Sequence, residues 1–172
     1  MTAEQMATVL RDGNRVGLRY HRSLGHPPDK VWRAITESDH LRHWMPCDIV
    51  GERRAGARIE LPFWPDHVEE YGIAEPVLGG EIRSWEPERV FEWTWEGDVL
   101  RFELTPRDGG TDLTFTTWFA DPDTAAGAGG GYHVCLDHLE VLLDGDAGRS
   151  LTDPDVRAAA ELWDRRYAEL LA

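Results

Sequence analysis

Four side chains within residues 129–145 are of types that could bind a metal ion or activate a nucleophile. They are His133, Cys135, Asp137 and His138, in the stretch GGGYHVCLDHLEVLLDG. Histidine, cysteine and aspartate are the usual ligands of zinc, and cysteine with histidine also forms nucleophilic sites. Their spacing decides between such a site and a helix whose polar side chains face water.

The apolar residues of this stretch recur at helical spacing and form one continuous stripe: Tyr132, Cys135, Leu136, Leu139, Leu142 and Leu143. The polar residues recur on the opposite side: His133, Asp137, Glu140 and Asp144. Cys135 therefore points away from His133, and His133 with Asp137 supplies too few ligands for structural zinc. We predict a helix with a solvated back that covers a sheet, after a flexible glycine-rich lead-in over 127–131, GAGGG.

Two further groups of histidines and carboxylates favour simple interpretations. His40 and His43 lie one helical turn apart without a third ligand nearby, and we expect surface histidines. Residues 66–70, DHVEE, lie in a stretch over 64–76 that shows neither helical nor strand periodicity. We expect a solvated loop there or, as the functional alternative, a flap over a cavity mouth. Because the motifs GxSxG, HExxH, the glycine-rich phosphate loop and the paired-cysteine zinc site are missing from the sequence, we predict no metal and no cofactor.

The composition excludes some classes of partner. The 172 residues carry a formal net charge of −14, and the pI is near 4.8, which argues against nucleic acid and anionic membranes. Cys47 and Cys135 form no CxxC pair and are expected to be free thiols. Lys30 is the only lysine among many arginines, as expected of a GC-rich bacterial genome. With no apolar targeting or membrane-spanning segment in the sequence, we expect a cytoplasmic protein.

The first third of the chain predicts a hairpin and two short helices. Asp12-Gly13 is a strong turn signal, and it precedes a strand whose inner face carries Val16, Leu18 and Tyr20. A helix over 2–10, with Thr2 and Gln5 as a capping box, is the alternative for the first arm. Pro27-Pro28 then suit the start of one helix, and Ser38-Asp39 suit the start of the next.

In residues 57–63 and 79–119 apolar residues alternate with polar ones, which predicts strands. Turn-forming clusters separate the last four strands: Glu86-Pro87-Glu88, Gly97-Asp98 and Asp108-Gly109-Gly110. One face of these strands is largely aromatic and carries Phe91, Trp93, Trp95, Leu100, Phe102, Leu104, Leu113, Phe115 and Phe119. We predict an antiparallel meander with one face in water and an aromatic face under the later helix.

The tail predicts a linker followed by a second amphipathic helix that begins at Asp153 and Pro154. Its apolar stripe consists of Val156, Ala160, Trp163, Tyr167 and Leu170. We expect residues 146–172 to dock on a domain formed by residues 1–145. The second choice is a dimer seam, so that the protein would be a monomer or a homodimer.

The order of these elements describes a helix-grip fold, and four segments carry a more specific resemblance: HPPDKVWRAITESDHLRHWMP, GEIRSWEPERVFEWTW, LRFELTPRDGGTDLTFT and GYHVCLDHLEVLLDG. From about Val16 to Gly145 the chain resembles the START-like (SRPBCC) superfamily, in particular homologues of the activator of the ninety-kilodalton heat-shock protein ATPase. The resemblance implies an α+β fold in which a curved antiparallel sheet wraps around a long C-terminal helix. Two short helices would follow the first strand, and an extra helix would follow at the C-terminus.

The resemblance also implies a cavity between the sheet and the long helix, which relatives use for lipids, hormones and polyketides. Strand and helix parity place the following side chains along it: Tyr20, Arg22, Trp93, Trp95, Phe102, Phe115, Thr117, Tyr132, Cys135, Leu136 and Leu139. Pockets of this kind are mostly apolar, with a few polar groups that orient the ligand. We therefore predict that the protein binds an apolar, aromatic or lipid-like small molecule.

Two other functions stay open at this point. A polyketide-cyclase-like, aromatase-like or hydrolase-like enzyme would need an inward acid or base, for which Tyr20 and Arg22 are the best candidates. Many relatives carry histidine at the position of Thr117 and tryptophan at that of Tyr132, so this chain lacks a shared acid or base there. A co-chaperone or regulatory module would instead use an exposed apolar patch. Eukaryotic co-chaperones of the family carry a separate N-terminal domain, which we do not expect here, so small-molecule binding is favoured.

Overall fold

Seven antiparallel strands and five helices are present in the computed structural model, which describes residues 5–146 and 150–172. The strands are β1 Thr8–Asp12, β2 Arg15–Leu24, β3 Arg58–Pro62, β4 Val77–Glu86, β5 Val90–Trp95, β6 Asp98–Arg107 and β7 Gly110–Phe119. The helices are α1 Pro28–Thr36, α2 Ser38–Leu41, α3 Pro65–Tyr71, α4 Ala125–Leu143 and α5 Pro154–Leu171. The strand order is β1-β2-β7-β6-β5-β4-β3, so a meander from β3 to β7 pairs through β7 with the N-terminal hairpin. This is the curved sheet with a long helix that the sequence predicts.

The N-terminal hairpin forms where the sequence places its turn. Asp12 pairs with Arg15, and Gly13 between them has φ of +59°, a left-handed conformation that glycine adopts without steric cost. The alternative helix over 2–10 is wrong for residues 8–10, which belong to β1. Thr2, its proposed cap, lies outside the described residues.

The aromatic face of the sheet forms the core, as the alternation predicts. Phe91, Phe102, Phe115 and Tyr20 are cross-strand neighbours in one row, and all four are buried. The rings of Phe102 and Phe115 stack with centroids 4.5 Å apart. Burial of one such side chain contributes about 1.5–3 kcal/mol, so this row fixes α4 firmly on the sheet.

Helix α4 is buried on two sides, so its predicted solvated back is wrong at His133 and correct at Asp144, whose side chain is 76% exposed. His133, expected in water, is fully buried, and its ring stacks on Trp163 of α5 with centroids 3.6 Å apart. The helical pattern shows which residues are polar, but it does not show whether a later helix covers them. Here α5 covers His133 on the polar side of α4. The tail therefore packs along α4 through Val156, Trp163 and Tyr167, whereas Leu170 of the predicted stripe is 42% exposed.

The glycine run is also different from its prediction, because residues 127–131 lie inside α4 and not in a flexible lead-in. Glycine is a poor helix former, so the local preference is overridden by packing. A Cβ atom on Gly129 would lie 2.8 Å from Cδ1 of Leu18 and 3.1 Å from the Tyr167 ring. One on Gly130 would lie 2.7 Å from the backbone nitrogen of Asp164. The two glycines thus let β2 and α5 approach α4 more closely than any other residue would.

Residues 65–71 form helix α3, so the expected loop is wrong at this point.

His40 and His43 are partly exposed, in agreement with their prediction as surface histidines. No helix in the described ranges has the length and apolarity that crossing a bilayer requires.

The glycine contact gives a matched pair of variants for stability. We expect Gly130→Ala to lower the free energy of unfolding by about 1–3 kcal/mol, because the new methyl group meets the backbone of α5. Gly131→Ala has open space around the added atom and should stabilise the protein by up to about 1 kcal/mol through helix propensity. Urea unfolding of the two variants measures the difference. Equal stabilities would show that α5 does not hold this position.

Candidate functional site

A cavity of about 360 Å³ lies between α3, the first half of α4 and the start of α5. The sheet contributes Trp95 at the end of β5, and the chain just after β3 contributes Phe63. Almost every side chain around the cavity is apolar or aromatic, and His67 is the one ionisable imidazole in its described lining. A volume above about 300 Å³ with such a lining is typical of small-molecule sites.

Three residues predicted as cavity wall line this pocket: Trp95, Tyr132 and Cys135. The other eight do not line it: Tyr20, Arg22, Trp93, Phe102, Phe115, Thr117, Leu136 and Leu139. They are buried between the sheet and its covering helices, because aromatic side chains are large enough to fill the space at the centre. Trp44 adds to this filling, with its ring edge-on to Phe102 at 6.0 Å between centroids. The space that remains lies at one end of the sheet.

Sequence reasoning missed the pocket residues of α3. His67 and Tyr71 face the cavity from this helix, and His67 is buried with Nδ1 3.4 Å from Oδ1 of Asp66. A proline at the first helical position and a glycine after the last one mark many helices, and here Pro65 and Gly72 occupy those positions. These two residues could have predicted the helix, which is too short for a helical repeat of apolar residues to be visible in the sequence.

The start of α5 forms the outer wall of the pocket. Val156 and Ala160 line it, together with Leu151 from the preceding turn. Arg157 makes an ion pair with Glu70 of α3, and its guanidinium lies 5.5 Å above the Tyr71 ring. Exposed pairs of this kind contribute little energy, but this one shows that the start of α5 lies against α3.

Tyr20 and Arg22 do not line this pocket, and their polar atoms bond to the backbone and to side chains around α4 and β2. The Tyr20 hydroxyl donates a hydrogen bond of 2.7 Å to the carbonyl oxygen of Gly129. Arg22 donates through Nη1 to the carbonyl of Gln5 at 2.9 Å, and its Nε lies 3.3 Å from Oε1 of Glu140. The two inward candidates for an acid or base are thus engaged elsewhere.

His133 and Cys135 lie on different sides of α4, in agreement with the helical spacing. His133 faces α5, and Cys135 faces the pocket. Within residues 5–146 and 150–172 no group of three or more His, Cys, Asp or Glu side chains could hold a metal ion. The absence of bound metal stays a prediction that elemental analysis of the purified protein can test.

His133 is held neutral by its surroundings. Burial above all, and then the positive charges of Arg22 and Arg166, together lower its pKa to about 3. The Tyr167 hydroxyl accepts from the backbone N–H of Ala7 at 2.9 Å and lies 3.0 Å from Nδ1 of His133. This geometry fits a Tyr167 O–H that donates to an unprotonated Nδ1, with the ring proton on Nε2.

This pKa predicts a pH dependence of stability. Because the unfolded histidine titrates near 6.5 and the folded one near 3, the unfolded state binds the extra proton as the pH falls below about 6.5. The contribution of neutral His133 to the free energy of unfolding is therefore present above pH 6.5 and is lost below it. The free energy of unfolding should fall by about 2 kcal/mol between pH 7.5 and pH 5. Urea unfolding should show this slope in the wild type and in His43→Asn. His133→Asn should flatten it, and an unchanged slope would contradict the assignment.

The two cysteines are free and buried, as expected. Burial raises the pKa of the Cys135 thiol to about 12 and raises that of Cys47 as well. In a Cys47→Ser variant, native Cys135 should therefore react with a thiol reagent on the order of a thousandfold more slowly than free cysteine. Urea should restore the ordinary rate. Fast labelling of the native protein would place Cys135 outside the pocket wall.

Comparison with solved structures supports the fold. CalU16 from Micromonospora echinospora is 20% identical, with a TM-score of 0.71 over 96% of this chain and 94% of that one. A conserved protein of unknown function from Enterococcus faecalis, EF2215, is 18% identical, with a TM-score of 0.72 over 95% of this chain and 91% of that one. Protein MLL2253 from Mesorhizobium loti is 26% identical, with a TM-score of 0.59 over 76% of this chain and 98% of that one.

A search of curated proteins finds no match. The family model described as "Activator of Hsp90 ATPase homolog 1-like protein" matches residues 25–144, more than half of the chain. The matched range begins just before α1 and ends at the last turn of α4, so it holds the meander and the helix that covers it. The chain therefore belongs to the Activator of Hsp90 ATPase homolog 1-like family, within the START-like helix-grip superfamily.

Proposed function

We propose that this protein binds an apolar small molecule in the pocket between α3, α4, α5 and the end of β5. The observation that carries the proposal is the cavity of about 360 Å³ with an almost wholly apolar lining, beside the stacked aromatic row of the sheet. Protein interiors are close-packed and hold few voids larger than a water molecule. A cavity of about 150 Å³ is enough for benzene, so this pocket is large enough for two or three fused rings or a short acyl chain.

The nature of the lining supports binding over catalysis. A candidate general acid or base must reach the reacting atom, and Tyr20 and Arg22 lie outside the pocket lining and are hydrogen-bonded to backbone carbonyls. Cys135 lines the pocket, but its raised pKa leaves almost no thiolate at neutral pH. The family includes ligand-binding and polyketide-cyclase-like members, and the first of these fits the present lining.

The proposal also assigns a role to the tail. Residues 1–145 would form the helix-grip domain, and residues 146–172 would add the outer wall of its pocket through Val156 and Ala160.

The net charge of −14 supports a partner that is neither nucleic acid nor an anionic membrane. We place the protein in the cytoplasm as a monomer or homodimer, with chaperone binding a weaker alternative.

Two glycines of α4 provide the test. A Cβ atom on Gly131 meets no atom within 4 Å, and this glycine lines the pocket. Gly131→Leu should therefore fill the pocket and weaken the binding of an uncharged aromatic probe such as naphthalene or tetralin at least about tenfold, since the ligand and the new side chain compete for one volume. Tryptophan quenching and the shift in melting temperature measure the binding.

Gly127→Leu is the matched control, because Gly127 also has open space around it but lies outside the pocket lining. It should bind the probe as the wild type does. Equal binding by both variants would move the site elsewhere, and a wild type that binds no such probe would end the proposal.

A further inference from the structure

His67 is a polar side chain that a molecule in the pocket can reach. It lies on α3, it lines the cavity, and it is buried, with 6% exposure. Nδ1 of its ring lies 3.4 Å from Oδ1 of Asp66, whereas Nε2 makes no hydrogen bond to any described residue. Nε2 is not sealed off either, in contrast to Nε1 of Trp95, which neighbouring atoms cover completely. The free position of the imidazole is therefore Nε2.

The carboxylate beside His67 decides which ring nitrogen carries the proton. A carboxylate accepts hydrogen bonds and cannot donate them, so Asp66 favours the tautomer of neutral His67 with its proton on Nδ1. Nε2 then presents a lone pair. The ring packs against Tyr71, one helical turn further along α3, with 6.0 Å between the ring centroids. The pocket thus holds a positioned hydrogen-bond acceptor in an almost wholly apolar wall.

The group that complements this acceptor is a hydrogen-bond donor. A purely apolar molecule over His67 would remove water from Nε2 and leave it without a partner, which lowers the affinity. A hydroxyl group on the molecule supplies the missing proton. The rings of Phe63, Trp95 and Tyr132 also line the cavity, and they offer flat faces and edges to an aromatic ring that carries the hydroxyl group.

The charges on α3 select against an anionic molecule. Asp66, Glu69 and Glu70 all lie on this short helix. Its one cationic partner on α5, Arg157, is paired with Glu70, and no lysine or arginine is present in the described lining of the pocket. A carboxylate or phosphate would lose its hydration beside like charges without gaining a counter-ion.

We propose that the pocket takes a neutral phenol, whose aromatic rings fill the apolar volume and whose hydroxyl group donates to Nε2 of His67. The inference rests on the proposed function and narrows it from any apolar molecule to this chemical class. His67 becomes the residue that selects among apolar ring compounds, and Asp66 positions it by holding the proton on Nδ1.

Four probes with one ring frame test the inference: naphthalene, 2-naphthol, 2-methoxynaphthalene and 2-naphthoate. The ether keeps the oxygen of the phenol but has no proton to donate. Affinities are measured by calorimetry for the wild type, His67→Phe and His43→Phe. The first variant keeps an aromatic ring in the wall and removes its nitrogens, and the second makes the same exchange at a histidine outside the pocket lining.

The readout is the ratio of the phenol affinity to the ether affinity, which separates the donated hydrogen bond from the filling of the pocket. We expect this ratio to fall roughly threefold to tenfold in His67→Phe and to hold in His43→Phe. Naphthalene should bind His67→Phe at least as tightly as the wild type, whereas a merely structural role of His67 would weaken all probes together. The carboxylate should bind at least about tenfold more weakly than the phenol.

A second measurement needs no substitution and decides the matter if His67→Phe does not fold. In wild-type protein with ¹⁵N-labelled histidine, 2-naphthol should shift the Nε2 resonance of His67, because the lone pair accepts a hydrogen bond. The ether should leave that resonance nearly in place. Equal effects of the two probes would overturn the assignment of Nε2 as the acceptor.

The outcomes separate the two proposals. If the neutral probes bind and the ratio of phenol to ether is the same in all three proteins, the phenol inference is overturned while pocket binding stands. An equal fall of the ratio in His43→Phe would also overturn it, since that residue does not line the pocket. Tightest binding by 2-naphthoate would overturn the neutral class. If no neutral probe binds the wild type, the pocket proposal fails, and this inference fails with it.

Discussion

The close contact between α4 and α5 at Gly129 and Gly130 is the constraint on which the rest of the structure depends. Because these residues have no side chains, the backbone of α5 reaches α4 near Asp164, and Tyr167 reaches the interior beside Leu18. The contact buries the polar side of α4, which makes His133 a neutral core residue. It also sets the distance between α5 and α3, and that gap is the pocket.

The features of the fold that depend on the regular spacing of apolar residues within one strand or helix could be predicted from the sequence. Alternation marks Phe91 and Trp93 as inward and Glu92 as outward, and helical spacing marks Leu136 and Leu139 as the side of α4 that meets the sheet. These patterns report the contrast between apolar and polar faces, which is strong when one face meets water. The outcome is a sheet and a covering helix that agree with the structure.

The rest depends on contacts between elements that are distant along the chain, and periodicity carries no information about them. His133 is polar, so its pattern indicates water, yet Tyr167 satisfies it from a helix that begins far downstream. The same holds for the site: parity marks Trp95, Tyr132 and Cys135 as inward, and they line the pocket, but parity could not show that Phe102 and Phe115 leave no space between them. Whether an inward aromatic side chain is wall or core depends on the volume of its neighbours across the sheet.

The outer wall of the pocket can be changed separately from the sheet. Leu151, Val156 and Ala160 lie beyond residue 144, where the family match ends, and they contact the cavity without belonging to the sheet. Substitutions there change the shape of the cavity and leave the aromatic rows of the meander intact. The start of α5 is thus the part of this chain where the cavity can be reshaped, while Trp163 and Tyr167 further along the helix keep their contact with α4.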